Sequence, residues 1–312
     1  MATHTGGDRH TPVVLDGGMS NALEERGQLL TGALWTARVL RDQPEDIADV
    51  HRAYYRAGAR VATTASYQAS VPGLMATGLG QAEAQSLLVR SVRIAREVRD
   101  SMSADGTVRW VAASVGPYGA VLADGSEYRG RYGLSASQLR DFHLPRLELL
   151  VSASPDLLAL ETIPDLVEAE VLAQLVDDFA LPVWFSYSSR DGQTSAGQPL
   201  AEAFSVAAAP RCVIAVGVNC GPAAEALDAV RLVGEATGKP AVVYPNGGGT
   251  WDARTRRWVG PAGYDVRLAR EWVRAGAAYV GGCCRVGPRH IEQLAAALAV
   301  DDDPAPHHDD RV

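Results

Sequence analysis

Three of the four cysteines stand directly after apolar runs that are typical of buried strands. The run Val213 to Asn219 leads into Cys220, and the run Ala277 to Gly282 leads into the adjacent pair Cys283 and Cys284. Thiolates are strong zinc ligands, and a tetrahedral ion with three protein ligands keeps its fourth position for a substrate. These cysteines therefore predict a Zn²⁺ site at which a substrate can reach the metal.

This site requires the fold to bring distant residues together, because Cys220 is much farther from the pair than the ligands of compact C-x-x-C zinc modules are from each other. Neighbouring residues of a regular strand point to opposite faces, so both members of the pair reach one ion only where the strand bulges or twists. Gly281 and Gly282 supply conformational freedom for such a bulge. The alternative is that the three cysteines are small buried hydrophobic residues, as we expect for Cys212.

The composition is that of a soluble globular chain with small-molecule substrates. The 312 residues are 47% hydrophobic and 21% charged, with a formal net charge of -8. This negative charge argues against nucleic acid and anionic membranes as partners. Met1 to His10 is polar and no apolar run is long enough to span a bilayer, so we expect neither a secretion signal nor a membrane span. We expect a reducing cytoplasm, where thiols are free to bind metals.

Eight apolar runs rich in β-forming residues alternate with amphipathic segments along the whole chain. The runs are Val13 to Leu15, Arg60 to Ser66, Trp110 to Val115, Asp156 to Leu160, Pro182 to Tyr187, Val213 to Val218, Ala241 to Tyr244 and Ala277 to Val280. Continuous apolar strands separated by helices favour a parallel sheet, and eight such units most simply close into a (β/α)8 barrel. A doubly wound open sheet is the alternative.

The segments between the runs show helical periodicity. Apolar residues recur at helical spacing in two of them, at Ile47, Val50 and Tyr54 and at Leu172, Leu175, Val176 and Phe179. Pro44 and Pro164 are predicted to lie in the first turns of helices.

Polar residues of functional type follow the apolar runs. They include Asp16, Tyr67, Gly116, Glu161, Asn219, Gly247 and Cys283. Active sites of (β/α)8 barrels lie at the carboxyl ends of the strands, so the barrel would gather these residues on one face. Taken singly, Asp16 could be a turn residue and Glu161 a charge at a helix start.

The motifs at these positions resemble the homocysteine S-methyltransferase family over nearly the whole chain. They are Leu15-Asp16-Gly17-Gly18, Thr64 to Ala69, Ser114 to Ala120, Glu161-Thr162, Gly217-Val218-Asn219-Cys220 and Gly281 to Arg285. The resemblance implies a (β/α)8 barrel in which Cys220, Cys283 and Cys284 hold zinc. The segment Leu122 to Gly130 resembles the branch that uses S-methylmethionine or S-adenosylmethionine. A betaine-using enzyme is the alternative.

The resemblance implies a chemistry in which a zinc-bound homocysteine thiolate attacks the methyl group of a sulfonium donor to form methionine. Asp16 and Glu161 match the acidic positions that bind the substrate ammonium in the family, and Asn219 is expected to orient the same substrate. Trp35 and Tyr67 are candidates for the donor site, because a sulfonium prefers an aromatic face. No separate side-chain base is predicted.

Two other segments are candidates for a function. The long loop Gly119 to Gly133 is expected to form a lid. The stretch Gly247 to Thr250 follows the seventh run, where many barrels bind phosphate, but it has no lysine nearby, so a strand-to-helix turn is favoured over the site of a phosphate-dependent lyase or isomerase. A regulatory barrel with a closed structural zinc site is a further alternative. We expect one barrel domain over 12–300, with disordered tails at 1–11 and 301–312.

Overall fold

The computed structural model describes residues 11–30, 35–252 and 257–299. Its centre is a sheet of eight parallel strands. They are β1 Val13–Val14, β2 Val61–Thr63, β3 Trp110–Val115, β4 Leu157–Ile163, β5 Val183–Tyr187, β6 Val213–Asn219, β7 Ala241–Tyr244 and β8 Ala277–Val280. Each strand pairs with its sequence neighbours, β1 pairs with β8, and a bridge from Leu15 to Val61 joins β1 to β2. The expected (β/α)8 barrel is confirmed, and the open sheet is excluded.

Helices lie between the strands and surround the barrel. In chain order they are α1 Met19–Glu25, α2 Trp35–Asp42, α3 Pro44–Arg56, α4 Val71–Ala76, α5 Gln81–Ser101, α6 Tyr118–Leu122, α7 Ala136–Ser152, α8 Leu166–Val176, α9 Leu200–Ala208, α10 Ala226–Thr237, α11 Val266–Ala275 and α12 Pro288–Ala299. None of these helices is long and apolar enough to cross a membrane.

Alternate residues of each strand enter two different cores, as the pleat of a strand requires. In β4, Leu158 and Leu160 pack in the large core that the helices cover. Leu157 and Ala159 join a second cluster with Trp184 of β5, which fills the barrel interior. Because both faces are apolar, the strands appear in the sequence as continuous hydrophobic runs.

Three local expectations differ from the structure. Pro164 lies outside α8, because Asp165 caps that helix through its side chain and the helix starts at Leu166. The second strand is shorter than the apolar run, because the chain turns at Ala65–Gln68. The seventh crossover is not a simple turn into a helix, since an antiparallel hairpin of Thr250–Asp252 and Arg257–Val259 precedes α11.

Candidate metal centre and substrate site

The three predicted cysteines lie together at the carboxyl ends of β6 and β8. Their sulfur atoms are all within 4.8 Å of one another. The Cys284 sulfur lies 3.9 Å from that of Cys220 and 4.0 Å from that of Cys283. Two sulfurs bound to one tetrahedral zinc ion at about 2.3 Å each would be about 3.8 Å apart. The spacing at Cys284 therefore suits a shared metal ion.

Cys220 and Cys283 are joined as a disulfide in this structure, with Cα atoms 5.5 Å apart. A disulfide sulfur is not a thiolate ligand, so metal binding by all three residues requires this pair to be reduced. Cys212, by contrast, lies just before β6 and contacts the backbone of Val176. It takes no part in the cluster.

The two glycines before the cysteine pair act by their small size. Strand β8 ends at Val280, and neither Gly281 nor Gly282 has a positive φ, so the expected role of glycine freedom in bulging the strand is not what the structure shows. A Cβ atom on Gly281 would lie 2.6 Å from the Leu15 side chain, and one on Gly282 would lie 2.3 Å from Val286. Glycine therefore allows the chain that carries the cysteines to pack closely against β1 and the following turn.

Strained backbone is concentrated at this end of the barrel. Thr162, Cys220 and Arg285 all have positive φ, at 60°, 54° and 65°. Such values are uncommon for residues with a Cβ and persist where the surrounding structure enforces them. Thr162 follows Glu161, and Arg285 follows Cys284, so each of these three residues is a predicted site residue or the immediate neighbour of one.

Asp16 is a buried carboxylate directly after β1. Its oxygens accept hydrogen bonds from the backbone nitrogen and the hydroxyl of Thr63, both at 2.6 Å. Burial raises the pKa of Asp16 to about 7, although these hydrogen bonds oppose the shift. A carboxylate in this state gains when a cation replaces its lost water.

Glu161 is a second buried carboxylate, near the end of β4. The pairing of β4 with β5 shifts register between Leu160 and Ile163, at the point where Glu161 and Thr162 lie. Ser114 donates a hydrogen bond to Glu161 at 2.5 Å, and the hydroxyl of Tyr244 donates another at 3.3 Å. Burial raises the pKa of Glu161 to about 7, against the effect of these two bonds.

Asn219, the last residue of β6, holds the strained turn after Glu161. Its side-chain oxygen accepts from the Thr162 backbone at 2.8 Å and from the Ser186 hydroxyl at 2.9 Å. Its amide nitrogen donates to the Thr162 hydroxyl at 2.7 Å. These bonds hold the turn that carries Glu161.

Tyr67 lies in the loop after β2, with its ring against the backbone of Gly116, where a Cβ would lie 2.6 Å away. Its hydroxyl is buried beside Thr162 and has no hydrogen bond of normal geometry among the described residues. Trp35 is the first residue of α2, and its side chain lies outside the described part of the structure.

Comparison with known proteins identifies the family of the chain. A model of the homocysteine S-methyltransferase family matches residues 13–298, which include all three clustered cysteines and both buried carboxylates. The chain belongs to the homocysteine S-methyltransferase family. It is therefore an enzyme of the methyltransferase class.

Several relatives of this methyltransferase are similar over nearly their full length. Homocysteine S-methyltransferase YbgG of Bacillus subtilis is 42% identical over 299 residues, covering 93% of this chain and 95% of the relative. Homocysteine S-methyltransferase of Escherichia coli is 43% identical over 298 residues, covering 93% and 96%. Homocysteine S-methyltransferase 4 of Zea mays is 44% identical over 313 residues, covering 94% and 92%.

Solved structures of one relative match the barrel of the methyltransferase. The homocysteine methyltransferase MmuM from Escherichia coli in its metallated form has a TM-score of 0.84 at 41% identity, covering 92% of this chain and 96% of that chain. The oxidized form of MmuM has a TM-score of 0.83 with the same coverage. A metal at the cysteine cluster is thus consistent with both the ligand set and the fold.

Sequence reasoning missed a buried arginine that positions two loops of the methyltransferase. Arg146 of α7 donates to the carbonyls of Gly116, Ser66 and Tyr67 at distances of 2.8, 2.7 and 2.6 Å. These carbonyls belong to the loops after β2 and β3, so Arg146 ties both loops to one helix. No sequence motif near Arg146 indicates this contact, because its partners lie far away along the chain.

The loop that is predicted to form a lid contacts the cysteine cluster. The turn Ser126–Tyr128 lies within the loop Gly119 to Gly133, and the Tyr128 hydroxyl lies 3.8 Å from the Cys220 sulfur. The carbonyl of Glu127 accepts a hydrogen bond from the Ser188 hydroxyl at 3.3 Å, which ties the turn to the end of β5. These contacts place the turn beside the cysteine cluster, and the role of the loop as a lid stays a prediction.

Proposed function

We propose that this methyltransferase transfers a methyl group from a sulfonium donor, S-methylmethionine or S-adenosylmethionine, to the thiol of homocysteine. The observation that carries the proposal is the convergence of three cysteine sulfurs with two buried carboxylates at one end of the barrel. The thiols suit a metal that binds a sulfur substrate, and the carboxylates suit the ammonium of an amino acid.

Zn²⁺ is the proposed metal, held by Cys220, Cys283 and Cys284 in their reduced state. A set of three thiolates favours zinc over harder ions such as Mg²⁺. Burial raises the pKa of the Cys284 thiol to about 12, so this group ionises only beside a strong positive charge. When bound, the ion would lower the pKa of the homocysteine thiol and keep that thiol in its nucleophilic form.

Asp16 and Glu161 are proposed to bind the ammonium of homocysteine. Both are more than 90% buried and have a pKa raised by burial, so ammonium binding would offset the cost of their ionisation. Asn219 fixes the turn that carries Glu161 and offers one N–H to the substrate. These groups would leave the substrate thiol pointing towards the cysteine cluster.

For the methyl transfer itself, the protein needs only to align the two substrates and to exclude water from the site. A bond forms between the homocysteine sulfur and the methyl carbon while the bond from that carbon to the donor sulfur breaks. The bonding electron pair stays on the donor sulfur, which becomes a neutral thioether. Because opposite charges are neutralised in this step, a water-poor site favours it, and Tyr128 covers the cysteines on one side. We assign no side-chain base.

The need for reduced cysteines also supports a reducing compartment, and we assign the enzyme to the cytoplasm. We assign the catalytic barrel to residues 12–300. The proposed tails at 1–11 and 301–312 fall almost wholly outside the described residues.

The test is a methionine-formation assay of the reduced, zinc-loaded protein with homocysteine and one donor at a time. The donors are S-methylmethionine, S-adenosylmethionine and betaine. We expect turnover with both sulfonium donors and none with betaine. Turnover with betaine alone would overturn the donor assignment. Absence of turnover with all three donors, in protein that carries one zinc ion per chain, would overturn the proposed reaction.

A further inference from the structure

Glu127, in the loop Gly119 to Gly133, is a half-buried acidic residue that the proposed reaction does not use. One of its oxygens, Oε2, is shielded from solvent and has no hydrogen-bond partner among the described residues. Burial raises the pKa of this carboxyl above its ordinary value. A buried and unpaired carboxylate oxygen is costly, so a native structure that keeps one calls for an explanation.

The position of Glu127 suggests what the group faces. Its neighbour Tyr128 places a hydroxyl 3.8 Å from the Cys220 sulfur, and its own carbonyl is held by Ser188 after β5. The turn therefore lies over the metal centre. The Glu127 charge also raises the pKa of Tyr67 in the loop after β2 and of Tyr132 in the loop Gly119 to Gly133, so the carboxylate lies within electrostatic range of both rings.

The side chains of Glu127, Tyr67 and Tyr128 have a chemistry that suits a soft organic cation. Tyr67 and Tyr128 supply aromatic rings, which attract cations through their π faces. Glu127 supplies a negative charge in a partly dry setting. A hydrated metal ion would require several oxygen ligands, whereas a sulfonium offers a diffuse charge that needs no directional bonds.

We propose that Glu127, with Tyr67 and Tyr128, forms the site that receives the positive end of the methyl donor. This inference rests on the proposed function and deepens it, because it names the residues that select a cationic donor. It also predicts weak binding of the demethylated donor, since the donor sulfur becomes neutral on transfer and no longer gains from the Glu127 charge.

A carboxylate beside the donor has a distinctive kinetic consequence. A negative charge beside the sulfonium stabilises the bound donor, but this interaction weakens as the positive charge disappears in the transition state. Removing the charge should therefore weaken donor binding without slowing the chemical step. A residue that merely supports the lid would instead lower kcat when it is changed.

The test compares Glu127→Gln with the wild-type enzyme in steady-state kinetics, with zinc and saturating homocysteine. We expect the KM for S-methylmethionine to rise about tenfold or more, with kcat unchanged or higher and the KM for homocysteine within about twofold of wild type. A lower kcat with unchanged donor KM would overturn the proposal. If Glu127→Gln fails to fold, Glu127→Asp is measured in its place. This variant keeps the charge on a shorter side chain, so we expect a smaller rise in the KM for S-methylmethionine.

Asp124→Asn is the matched control. Asp124 belongs to the same lid and carries the same charge, but its side chain is 54% exposed. Its Oδ1 atom accepts from the Ser126 nitrogen at 2.9 Å, a bond that an amide oxygen can keep. We expect donor KM within about twofold of wild type. An equal rise in both variants would mean that general lid charge is responsible, which would overturn the assignment to Glu127.

A binding measurement separates this inference from the proposed reaction. Tetramethylammonium is a soft cation that we use as a non-reacting probe in calorimetric titration of wild type and Glu127→Gln. We expect at least about fivefold weaker binding to the variant. Equal binding to both proteins would overturn the cation site even if methionine is formed, whereas a wild type that binds the probe but transfers no methyl group would overturn only the proposed reaction.

Discussion

At the scale of single residues, the proposed reaction depends on thiol and carboxyl groups whose ionisation is made unfavourable by burial. The cysteines need a cation in order to ionise, and Asp16 and Glu161 need one in order to be stable as carboxylates. A zinc ion and a substrate ammonium would meet these two needs separately. Substitutions at these residues should therefore have different consequences.

We expect Cys220→Ala, Cys283→Ala and Cys284→Ala each to lose zinc retention and methyl transfer while the barrel stays folded. The reason is that each removes one of three ligands from a site at the rim, outside the main core. Zinc content by elemental analysis and folding by circular dichroism check this. Cys212→Ala is the control and should keep its zinc. If any of the three variants Cys220→Ala, Cys283→Ala or Cys284→Ala kept full methyl-transfer activity after removal of metal, the assignment of these cysteines as zinc ligands would be contradicted.

We expect Asp16→Asn to weaken homocysteine binding at least about tenfold, because a neutral amide cannot pair with the substrate ammonium. The same change should stabilise the fold at pH 8 by about 2 kcal/mol. The folded pKa of Asp16 is raised from 3.8 to about 7, so its stabilising contribution is complete below pH 3.8 and is lost as the pH rises through 7. An asparagine avoids this loss and can still bond to both groups of Thr63.

Denaturant unfolding at pH 4 and pH 8, with and without homocysteine, tests this prediction. The difference in unfolding free energy between Asp16→Asn and wild type should be small at pH 4 and large at pH 8. For the wild type, the KM for homocysteine should rise as the pH falls below about 7, where Asp16 and Glu161 take up protons. A KM that is flat from pH 6 to pH 8 would count against both carboxylates as ammonium ligands.

At the scale of elements, close strand packing sets the positions of the site residues. Gly217 in β6 lies two residues before Asn219, and a Cβ on it would lie 1.8 Å from the Val242 carbonyl oxygen of β7. Because the contacted atom belongs to the backbone of β7, it cannot move without disturbing the strand. The glycine thus fixes the distance between two strands whose ends carry site residues.

We expect Gly217→Ala to destabilise the protein by about 3 kcal/mol or more, or to prevent soluble expression. Gly234→Ala is the matched control, because Gly234 lies in α10 with nothing within 4 Å of an added Cβ. This second change should stabilise the protein by about 0.5–1 kcal/mol through helix propensity. Thermal denaturation of both variants measures these changes. A Gly217→Ala protein as stable as wild type would refute the claim that close packing against the Val242 carbonyl requires glycine here.

Sequence patterns predicted the elements better than the contacts between them. The eight strands were recognisable because each is buried on both faces and so forms a continuous apolar run. The cysteines were recognisable from their type and from the strand ends that precede them. Arg146 and Glu127 were missed as site residues because their roles depend on loops or strands far away in the chain. The hairpin before α11 was missed because its strands have only three residues each.

At the scale of the whole molecule, the barrel has one weak seam. Strand β1 has two residues, and a single bridge from Leu15 to Val61 joins it to β2. The Arg60 nitrogen adds one bond to the Val14 carbonyl at 2.7 Å. Strands β4 and β5, on the other side of the barrel, pair at four positions.

We expect this seam to open before the rest of the barrel. Amide hydrogens that bond across it, such as that of Arg60, should exchange with solvent faster than those between β4 and β5, such as that of Leu158. Hydrogen exchange followed by mass spectrometry measures this directly. Equal protection of the two regions would mean that the barrel opens as one cooperative unit.

The most direct test of the central claim is zinc-edge X-ray absorption of the reduced, zinc-loaded enzyme, recorded before and after homocysteine is added. We expect three sulfur ligands without substrate and four with it, because the site formed by Cys220, Cys283 and Cys284 leaves one position for the substrate thiol. A sulfur count that does not change on addition of homocysteine, in an enzyme that forms methionine, would contradict direct binding of the substrate to the metal.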